Sequence, residues 1–239
     1  MPVRSTIGRL VTSLADARSA AASLGSRLLA AALPPTCCVC GLPGIGPELD
    51  LCAVCRDELP RIAPERIGRA PRFDLVVIPF RYAWPVDHLV RALKFQAERA
   101  HARVLGTLIA DARRGIDEPL PELLVPVPLH PARYRRRGFN QSRELARYAA
   151  RVLGLRVDSS CLKRIVATRE QSGLSLAERR RNVRKAFEVV RSPQACHIAL
   201  VDDVVTTGST ASEAASALRK AGVRRIELWA AARAVLEKT

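Results

Sequence analysis

The second half of the chain alternates short apolar runs with segments in which apolar residues recur at helical spacing. Five apolar runs have the length of strands, and they cover residues 123–130, 161–166, 188–190, 197–203 and 224–233. Three segments have helical spacing, and they cover residues 140–154, 175–187 and 212–222. Asn140 is a suitable N-cap for the first of these helices, and Gly222 ends the last. Strands that alternate with helices predict an α/β fold with a mainly parallel sheet flanked by helices.

The same patterns continue upstream. Residues 73–83 have the character of a strand, and residues 85–115 predict one or two helices that Gly115 ends. Residues 61–72 are rich in Pro, Gly and Arg, as linkers are. Three polar residues of the helical stretch could reach a pocket, although lone polar residues on a helix usually face water, and these are Asp87, His88 and Lys94.

The first 33 residues predict an amphipathic helix that stops at Pro34-Pro35. Its apolar face is formed by Leu10, Leu14, Ala17, Ala21, Leu24 and Leu28. A transit peptide has a similar Arg-rich, acid-poor character and stays an alternative, whereas a secretory apolar segment is missing. No apolar stretch approaches the roughly 18 residues of a membrane span. We therefore expect a cytoplasmic protein without a membrane span.

Positive charge adds the first functional constraint. The 239 residues carry a formal net charge of +16, and 48% are hydrophobic, so we expect a packed fold rather than disorder. Between residues 131 and 191 the chain has 17 Lys/Arg and 5 Asp/Glu. This block is suited to attract polyanions such as phosphorylated small molecules, nucleic acid or acidic membrane. Part of it is expected to be an ordinary solvated helix face.

Four of the seven cysteines have the spacing of a metal site. Cys37 and Cys40 form one Cys-x-x-Cys pair, and Cys52 and Cys55 form another. Two such pairs offer four thiolates to one tetrahedral ion, so the pattern favours structural Zn²⁺ over disulfides or a thioredoxin-like motif. Of the three further cysteines, Cys38 is expected to be a spectator or a substitute ligand, and Cys161 and Cys196 are expected to be small core residues.

The segment 197–210, HIALVDDVVTTGST, carries the most specific chemistry. Asp202 and Asp203 end a buried strand, where ligands of open α/β sheets bind. The hydroxyl-rich turn that follows leads into a helix whose free amides attract a phosphate, and Gly208 allows close approach of the backbone. Carboxylates can accept hydrogen bonds from vicinal hydroxyls, so the segment predicts a cradle for a ribose 5-phosphate. No Lys follows the glycine, which excludes a Walker loop.

This segment resembles the phosphoribosyl pyrophosphate motif of type I phosphoribosyltransferases. The paired cysteines and the segments VPVPLHPARYRRRGFNQS and TREQSGLSLAERRRNVRKAF resemble one branch of these proteins, the ComF family of competence-type proteins. The resemblance covers about residues 34 to 235. It implies a type I phosphoribosyltransferase fold with a small N-terminal zinc module. The chain would comprise a helix over 1–33, a zinc module over 34–60, a linker and hood-like region over 61–122, and the core over 123–239.

The resemblance also implies roles for individual residues. Asp202 and Asp203 would hold the ribose hydroxyls, directly or through Mg²⁺, and would be the catalytic pair. The residues that would bind the 5-phosphate are Thr206, Thr207, Gly208, Ser209 and Thr210. The residues that would surround the pyrophosphate are Pro128, Leu129, His130, Arg133, Arg137, Asn140 and Gln141, with Arg180, Arg181 and Asn182 reaching it from a flap over 164–181 that includes Thr168, Gln171 and Ser172.

Three functions follow as alternatives. The first is a glycosyltransferase that binds phosphoribosyl pyrophosphate with Mg²⁺ and transfers the phosphoribosyl group to an unidentified acceptor, in a role linked to competence and DNA uptake. The second is a protein that binds single-stranded nucleic acid and keeps the cradle as a sensor or relic, although aromatic residues for base stacking are sparse. The third is a scaffold for the proteins of the DNA-uptake machinery, in which the acidic pair would be dispensable.

Overall fold

The structure is a computed structural model that describes residues 36–45, 49–63, 68–70, 72–96, 99–166 and 185–234. The predicted helix over 1–33 lies outside these residues. So do the predicted flap beyond residue 166 and all but the end of the predicted helix over 175–187.

A seven-stranded sheet forms the centre of the described chain. Its strands are β1 (Gly68–Ala70), β2 (Phe73–Val77), β3 (Phe80–Arg81), β4 (Leu123–Pro126), β5 (Arg156–Val157), β8 (His197–Val205) and β9 (Arg225–Arg233). The order across the sheet is β1–β2–β9–β8–β4–β5, and β3 also pairs with β9. All pairings are parallel except that of β1 with β2. Strands β6 (Leu162–Arg164) and β7 (Phe187–Val189) form a separate antiparallel ribbon.

Helices cover both faces of the sheet. The described helices are α1 (Ala53–Asp57), α2 (Val86–Gln96), α3 (Arg99–Arg114), α4 (Pro131–Arg137), α5 (Gln141–Leu153) and α6 (Ser209–Lys220). Helices α2, α3 and α5 pack on one face, together with buried residues of the cysteine segment 36–59. Helix α6 and the β6–β7 ribbon pack on the other face. The predicted α/β class with a mainly parallel sheet and a small N-terminal cysteine module is therefore confirmed.

Strand β8 is buried on both sides. Ile198 and Leu200 belong to the core on the α6 face, whereas Ala199 and Val201 belong to the core on the opposite face. A central parallel strand has no solvent side, which explains why the run before Asp202 is continuously apolar.

Prolines account for two of the differences from the predicted strands. The strand predicted over 73–83 is two strands separated at Ile78 and Pro79, and β4 ends at Pro126 instead of residue 130. Proline has no N–H to continue a ladder, so both breaks follow from the sequence. The segment predicted as a linker, 61–72, contains β1, and Phe187 starts strand β7 instead of ending a helix.

Two other expectations are wrong. Helix α6 begins at Ser209 instead of residue 212, because Gly208, with φ of 71°, already forms its N-cap. Cys196 is exposed instead of buried, because it lies one residue before β8 begins, whereas Cys161 is buried as expected.

Candidate functional site

The acidic pair lies at the carboxyl end of the central strand. Asp202 and Asp203 lie among the last four residues of β8, which ends at Val205, beside the loops that follow β4 and β8. Asp203 is 6% exposed, and Asp202 is half-buried. Ligands of open α/β sheets bind at this edge, so the location suits a binding site.

Helix α5 begins directly beside the two acids. Ser142 Oγ donates to Asp202 Oδ1 at 3.1 Å, and Gln141 Nε2 lies 3.4 Å from Asp203 Oδ2. Asn140 caps the helix through the N–H of Ser142 at 3.0 Å, and its Nδ2 donates to the carbonyl of Val127 at 3.0 Å. The cap thus holds the start of α5 against the loop after β4.

A lysine of helix α2, which is distant in sequence, also contacts the acidic pair. Lys94 Nζ, on α2, lies 2.6 Å from Asp203 Oδ2, and the two side chains are 23% and 8% exposed. Of the two alternatives for Lys94, contact with a pocket is therefore correct and a solvent-facing position is wrong. Its helical position explains the difference, since Lys94 follows the fully buried Val86 and Val90 at intervals of four residues on the same helix face.

The two carboxyl groups differ in their protonation. Burial, and after it the charge of Asp203, raises the pKa of Asp202 to about 7. Burial acts in the same direction on Asp203, but the Lys94 ammonium and the N–H of Val204 outweigh it, so the pKa of Asp203 lies below its ordinary value. Burial likewise opposes the charge of Lys94, yet Asp203 raises the pKa of this lysine. Asp203 and Lys94 therefore form an ion pair, beside an Asp202 that is ready to gain or lose a proton near neutral pH.

The hydroxyl-rich turn joins β8 to α6. Thr206, Thr207 and Gly208 precede the helix, and Ser209 and Thr210 are its first two residues. Thr207 Oγ1 accepts from the N–H of Ser209 at 3.3 Å and lies 2.7 Å from Ser209 Oγ. All five residues are partly exposed, so the hydroxyls and amides lie at the surface beside the acidic pair.

The loop after β4 leads into a helix that the sequence patterns missed. Pro128, Leu129 and His130 precede α4, and His130 is the N-cap of this helix, with Nδ1 accepting from the N–H of Ala132 at 3.3 Å. Helix α4 has no buried residue, and apolar spacing therefore gives no signal for it. The ring of His130 has a capping role, and Pro131 at the first helical position is typical of a helix start.

The predicted basic residues reach the site through α4. Arg137 Nη1 donates to Gln141 Oε1 at 2.8 Å, and Gln141 in turn contacts Asp203. Burial, and after it the charge of Arg133, lowers the pKa of Arg164 at the end of β6, and the charge of Asp202 opposes this shift. Arg180, Arg181, Asn182 and the flap residues Thr168, Gln171 and Ser172 lie outside the described residues.

A cleft of about 610 Å³ borders the loop after β4. Four basic side chains line it, and they are Arg135, Arg143, Lys163 and Arg164. Tyr134, with 43% of its surface exposed, and Ile165, with 53%, provide apolar wall. None of the described residues that line this cleft is acidic.

The four predicted metal ligands come together at the other end of the described chain. The sulfur atoms of Cys37, Cys40, Cys52 and Cys55 all lie within 4.8 Å of one another. Cys40 Sγ and Cys52 Sγ are 3.5 Å apart, and the N–H of Cys55 donates to Cys52 Sγ at 3.4 Å. Zn–S bonds of about 2.3 Å place tetrahedral sulfurs slightly less than 4 Å apart. The cluster thus fits a structural Zn²⁺ ion.

Sequence reasoning missed Ser142, and it named Lys94 only as one of three residues that could reach a pocket. Lys94 had a signal in its i, i+4 spacing from buried valines. Ser142 stands two residues after a predicted N-cap, and local sequence does not reveal that it faces a strand 60 residues away.

Curated proteins similar to this chain carry names from DNA uptake and use. "Competence protein F" of Haemophilus influenzae is 38% identical over 193 residues, which are 77% of this chain and 84% of that protein. "DNA utilization protein YhgH" of Escherichia coli K12 is 36% identical over 197 residues, 81% of this chain and 82% of that protein. The protein of the same name from Salmonella typhi is 38% identical over 197 residues, with the same coverage. No family model matches the chain.

Solved structures that are partly similar to this chain include an amidotransferase and a phosphoribosyltransferase. The glutamine phosphoribosylpyrophosphate amidotransferase of B. subtilis has a TM-score of 0.32 and 20% identity, covering 52% of this chain and 24% of its own. The adenine phosphoribosyltransferase of Leishmania tarentolae has a TM-score of 0.37 and 13% identity, covering 67% of this chain and 76% of its own. Among the described residues, no helix has both the length and the apolar character needed to cross a membrane.

Proposed function

Because this chain belongs to the family of competence protein F and DNA utilization protein YhgH, as its motifs predict, we propose that it binds phosphoribosyl pyrophosphate and serves DNA uptake or use. The observation that carries the ligand proposal is the arrangement of Asp202 and Asp203 beside the hydroxyl-rich turn 206–210, at one edge of the sheet. The carboxylates accept hydrogen bonds from the ribose hydroxyls. The start of α6 offers amides and hydroxyls to the 5-phosphate.

Mg²⁺ fits this site as a partner of the ligand. The ion prefers oxygen ligands and commonly combines one or two carboxylates with phosphate oxygens. Asp202 and Asp203 are the residues that would hold it, and it would supply positive charge to the departing pyrophosphate.

Phosphoribosyl transfer is the reaction that these groups suit. The sugar becomes positively charged as pyrophosphate leaves, so the protein needs carboxylates near the ribose and cationic groups near the leaving group. Asp202 and Asp203 provide the first requirement. Arg133 and Arg137 on α4 provide the second, joined by Arg180 and Arg181 in the proposed flap.

Calorimetry tests the binding proposal. Phosphoribosyl pyrophosphate should bind the wild type in the presence of Mg²⁺, and the double variant D202N/D203N should lose binding. Glu144→Gln is a matched control, because Glu144 lies on α5 close to the site but forms an ion pair with Arg147 at 2.8 Å instead of contacting the acids. Absence of wild-type binding at millimolar ligand, or equal loss in the control, would contradict the proposal.

The acceptor requires a separate screen. Nucleobases and amines are incubated with labelled phosphoribosyl pyrophosphate, and mass spectrometry detects any ribosylated product. The hood-like region 61–122 is proposed to select the acceptor, and the division of the chain at residues 33, 60 and 122 belongs to the same proposal.

The cysteine cluster is proposed to hold one structural Zn²⁺ ion. Purified protein should contain one zinc per chain by elemental analysis, and C52S should lose it together with thermal stability. C196S is the control, because Cys196 is exposed and remote in sequence from the cluster. Wild-type protein without metal, or unchanged melting of C52S, would refute the zinc site.

Binding of single-stranded nucleic acid is the second candidate function. It is favoured by the cleft of about 610 Å³, where four basic side chains and the exposed ring of Tyr134 line the wall and no described lining residue is acidic. Cationic grooves with a stacking ring are typical of such sites.

Fluorescence anisotropy with a labelled oligo-dT strand tests this candidate. The double variant R135E/K163E should weaken binding strongly, and affinity should fall with salt with a slope of about −0.7 per contacted phosphate. K220E/R224E is the control, since it reverses one lysine and one arginine at two exposed positions that do not line the cleft. Equal weakening by the control would indicate only unspecific attraction.

A further inference from the structure

Lys94 reaches the acidic pair from outside the predicted core. Helix α2 belongs to the hood-like region 61–122, and it packs against α3 and β9. Lys94 lies in its last turn, on the face of the fully buried Val86 and Val90. The lysine is thus directed into the site by the same packing that holds the helix.

The hydrogen bonds of Asp203 leave little room for a ligand. Its Oδ1 accepts from the N–H of Val204 at 2.9 Å, and its Oδ2 is shared by Lys94 at 2.6 Å and Gln141 at 3.4 Å. Any cation or hydroxyl that uses Asp203 Oδ2 must therefore compete with the Lys94 ammonium.

We propose that Lys94 is an internal counter-ion, which Asp203 exchanges for Mg²⁺ when Mg²⁺ and phosphoribosyl pyrophosphate bind. The inference rests on the proposed function and assigns a positioning role to a residue of the hood-like region. A buried carboxylate without a partner is unfavourable, so the ammonium stabilises the empty site. An ammonium and Mg²⁺ repel each other at the same oxygen, so the occupied site releases the lysine.

The exchange links the site to the hood-like region. Release of Lys94 removes the ion pair that joins the last turn of α2 to β8, while the apolar contacts of α2 remain. Occupancy of the site is therefore coupled to the position of α2, and by reciprocity the position of α2 affects affinity for Mg²⁺.

Calorimetric titration with MgCl₂ alone, at pH 8, tests the exchange. K94Q should bind Mg²⁺ about tenfold more tightly than the wild type, a factor within the usual range of coupling between sites. K94R keeps the charge and should resemble the wild type. R91Q is the matched control on the same helix, because Arg91 is 62% exposed and pairs with Asp87 away from the acids. Equal or weaker Mg²⁺ binding by folded K94Q, including no detectable binding, overturns the inference.

Lysine acetylation of the wild-type protein, followed by mass spectrometry, provides the second readout. Lys94 should react faster once Mg²⁺ and phosphoribosyl pyrophosphate are added. An unchanged rate while calorimetry reports bound ligand overturns the exchange and leaves the proposed function standing. Absence of ligand binding in the wild type overturns both.

Discussion

Two buried acidic centres lie on neighbouring strands of the sheet, and they differ in how completely they are neutralised. Glu227 of β9 is level with Ala199, three residues before Asp202 on β8, which corresponds to about 10 Å. The carboxylate of Glu227 accepts hydrogen bonds from Arg113 at 2.8 and 3.1 Å and from Trp229 Nε1 at 2.7 Å, and it lies 2.9 Å from His197 Nε2. Arg113 and Glu227 are both fully buried.

The Glu227 centre is closed and structural. Arg113 also donates to the carbonyls of Ile116, Glu118 and Pro119, which fixes the connection from α3 to β4. At the acidic pair, by contrast, one lysine faces two carboxyl groups, and the hydroxyl-rich turn beside them is partly exposed. Buried charge alone therefore does not mark a ligand site. At the acidic pair two carboxyl groups share one cation, at an edge where loops leave access.

Removal of Arg113 should have the largest effect on stability. R113M leaves the carboxylate of Glu227 buried beside Trp229 and His197, and loss of one partner of a buried ion pair costs about 3–5 kcal/mol. Urea denaturation measures the change. R147Q, which breaks the exposed pair with Glu144, should cost less than about 1 kcal/mol. A small effect of R113M would contradict the distinction between a structural Glu227 centre and an acidic pair that binds a ligand.

Helix α3 carries Arg113 of the Glu227 centre, and α5 carries the residues that contact the acidic pair. The two helices cross at Gly106, and a methyl group added there tests how closely they pack. A Cβ atom at Gly106 would lie 2.8 Å from both Leu145 O and Tyr148 Cβ, so G106A should force the helices apart and cost about 1–3 kcal/mol. Because α5 carries Gln141 and Ser142, ligand affinity should fall as well. G115A is the control, since the nearest atom to its Cβ would be 3.6 Å away. Equal melting temperatures of the two variants would contradict the close crossing.

The acidic pair should reduce stability at high pH, and D202N should remove this effect. Because the pKa of Asp202 rises from 3.8 to about 7 on folding, the folded protein holds the proton more tightly than the unfolded chain. Stability from this group therefore falls as pH rises from about 4 to 7 and stays lower above pH 7. In buffer without Mg²⁺, D202N should melt several degrees above the wild type at pH 8, with the difference vanishing near pH 4. A difference that grows towards acid pH would have the wrong sign.

Local sequence predicted the parts of the molecule whose residues are close in the chain. The acids and their turn fall within nine residues, and each Cys-x-x-Cys pair within four, so spacing alone indicated their chemistry. The partners of the buried charges are distant in sequence, since Glu227 follows Arg113 by 114 positions, and no local pattern specifies such a pairing. Both Arg113 and Lys94 nevertheless continue the buried face of a helix, four residues after Ile109 and Val90. A charged residue at such a position is a usable signal for a buried partner.

Hydrogen–deuterium exchange with and without Mg²⁺ and phosphoribosyl pyrophosphate is the decisive measurement for the proposed ligand site, because it locates the ligand. We expect slower exchange of the amides in residues 206–210, where the phosphate is proposed to meet the start of α6. Peptides around Glu227 should keep their exchange rates. Unchanged exchange in residues 206–210 at saturating ligand, or protection confined to the cleft of Arg135 and Lys163, would contradict it.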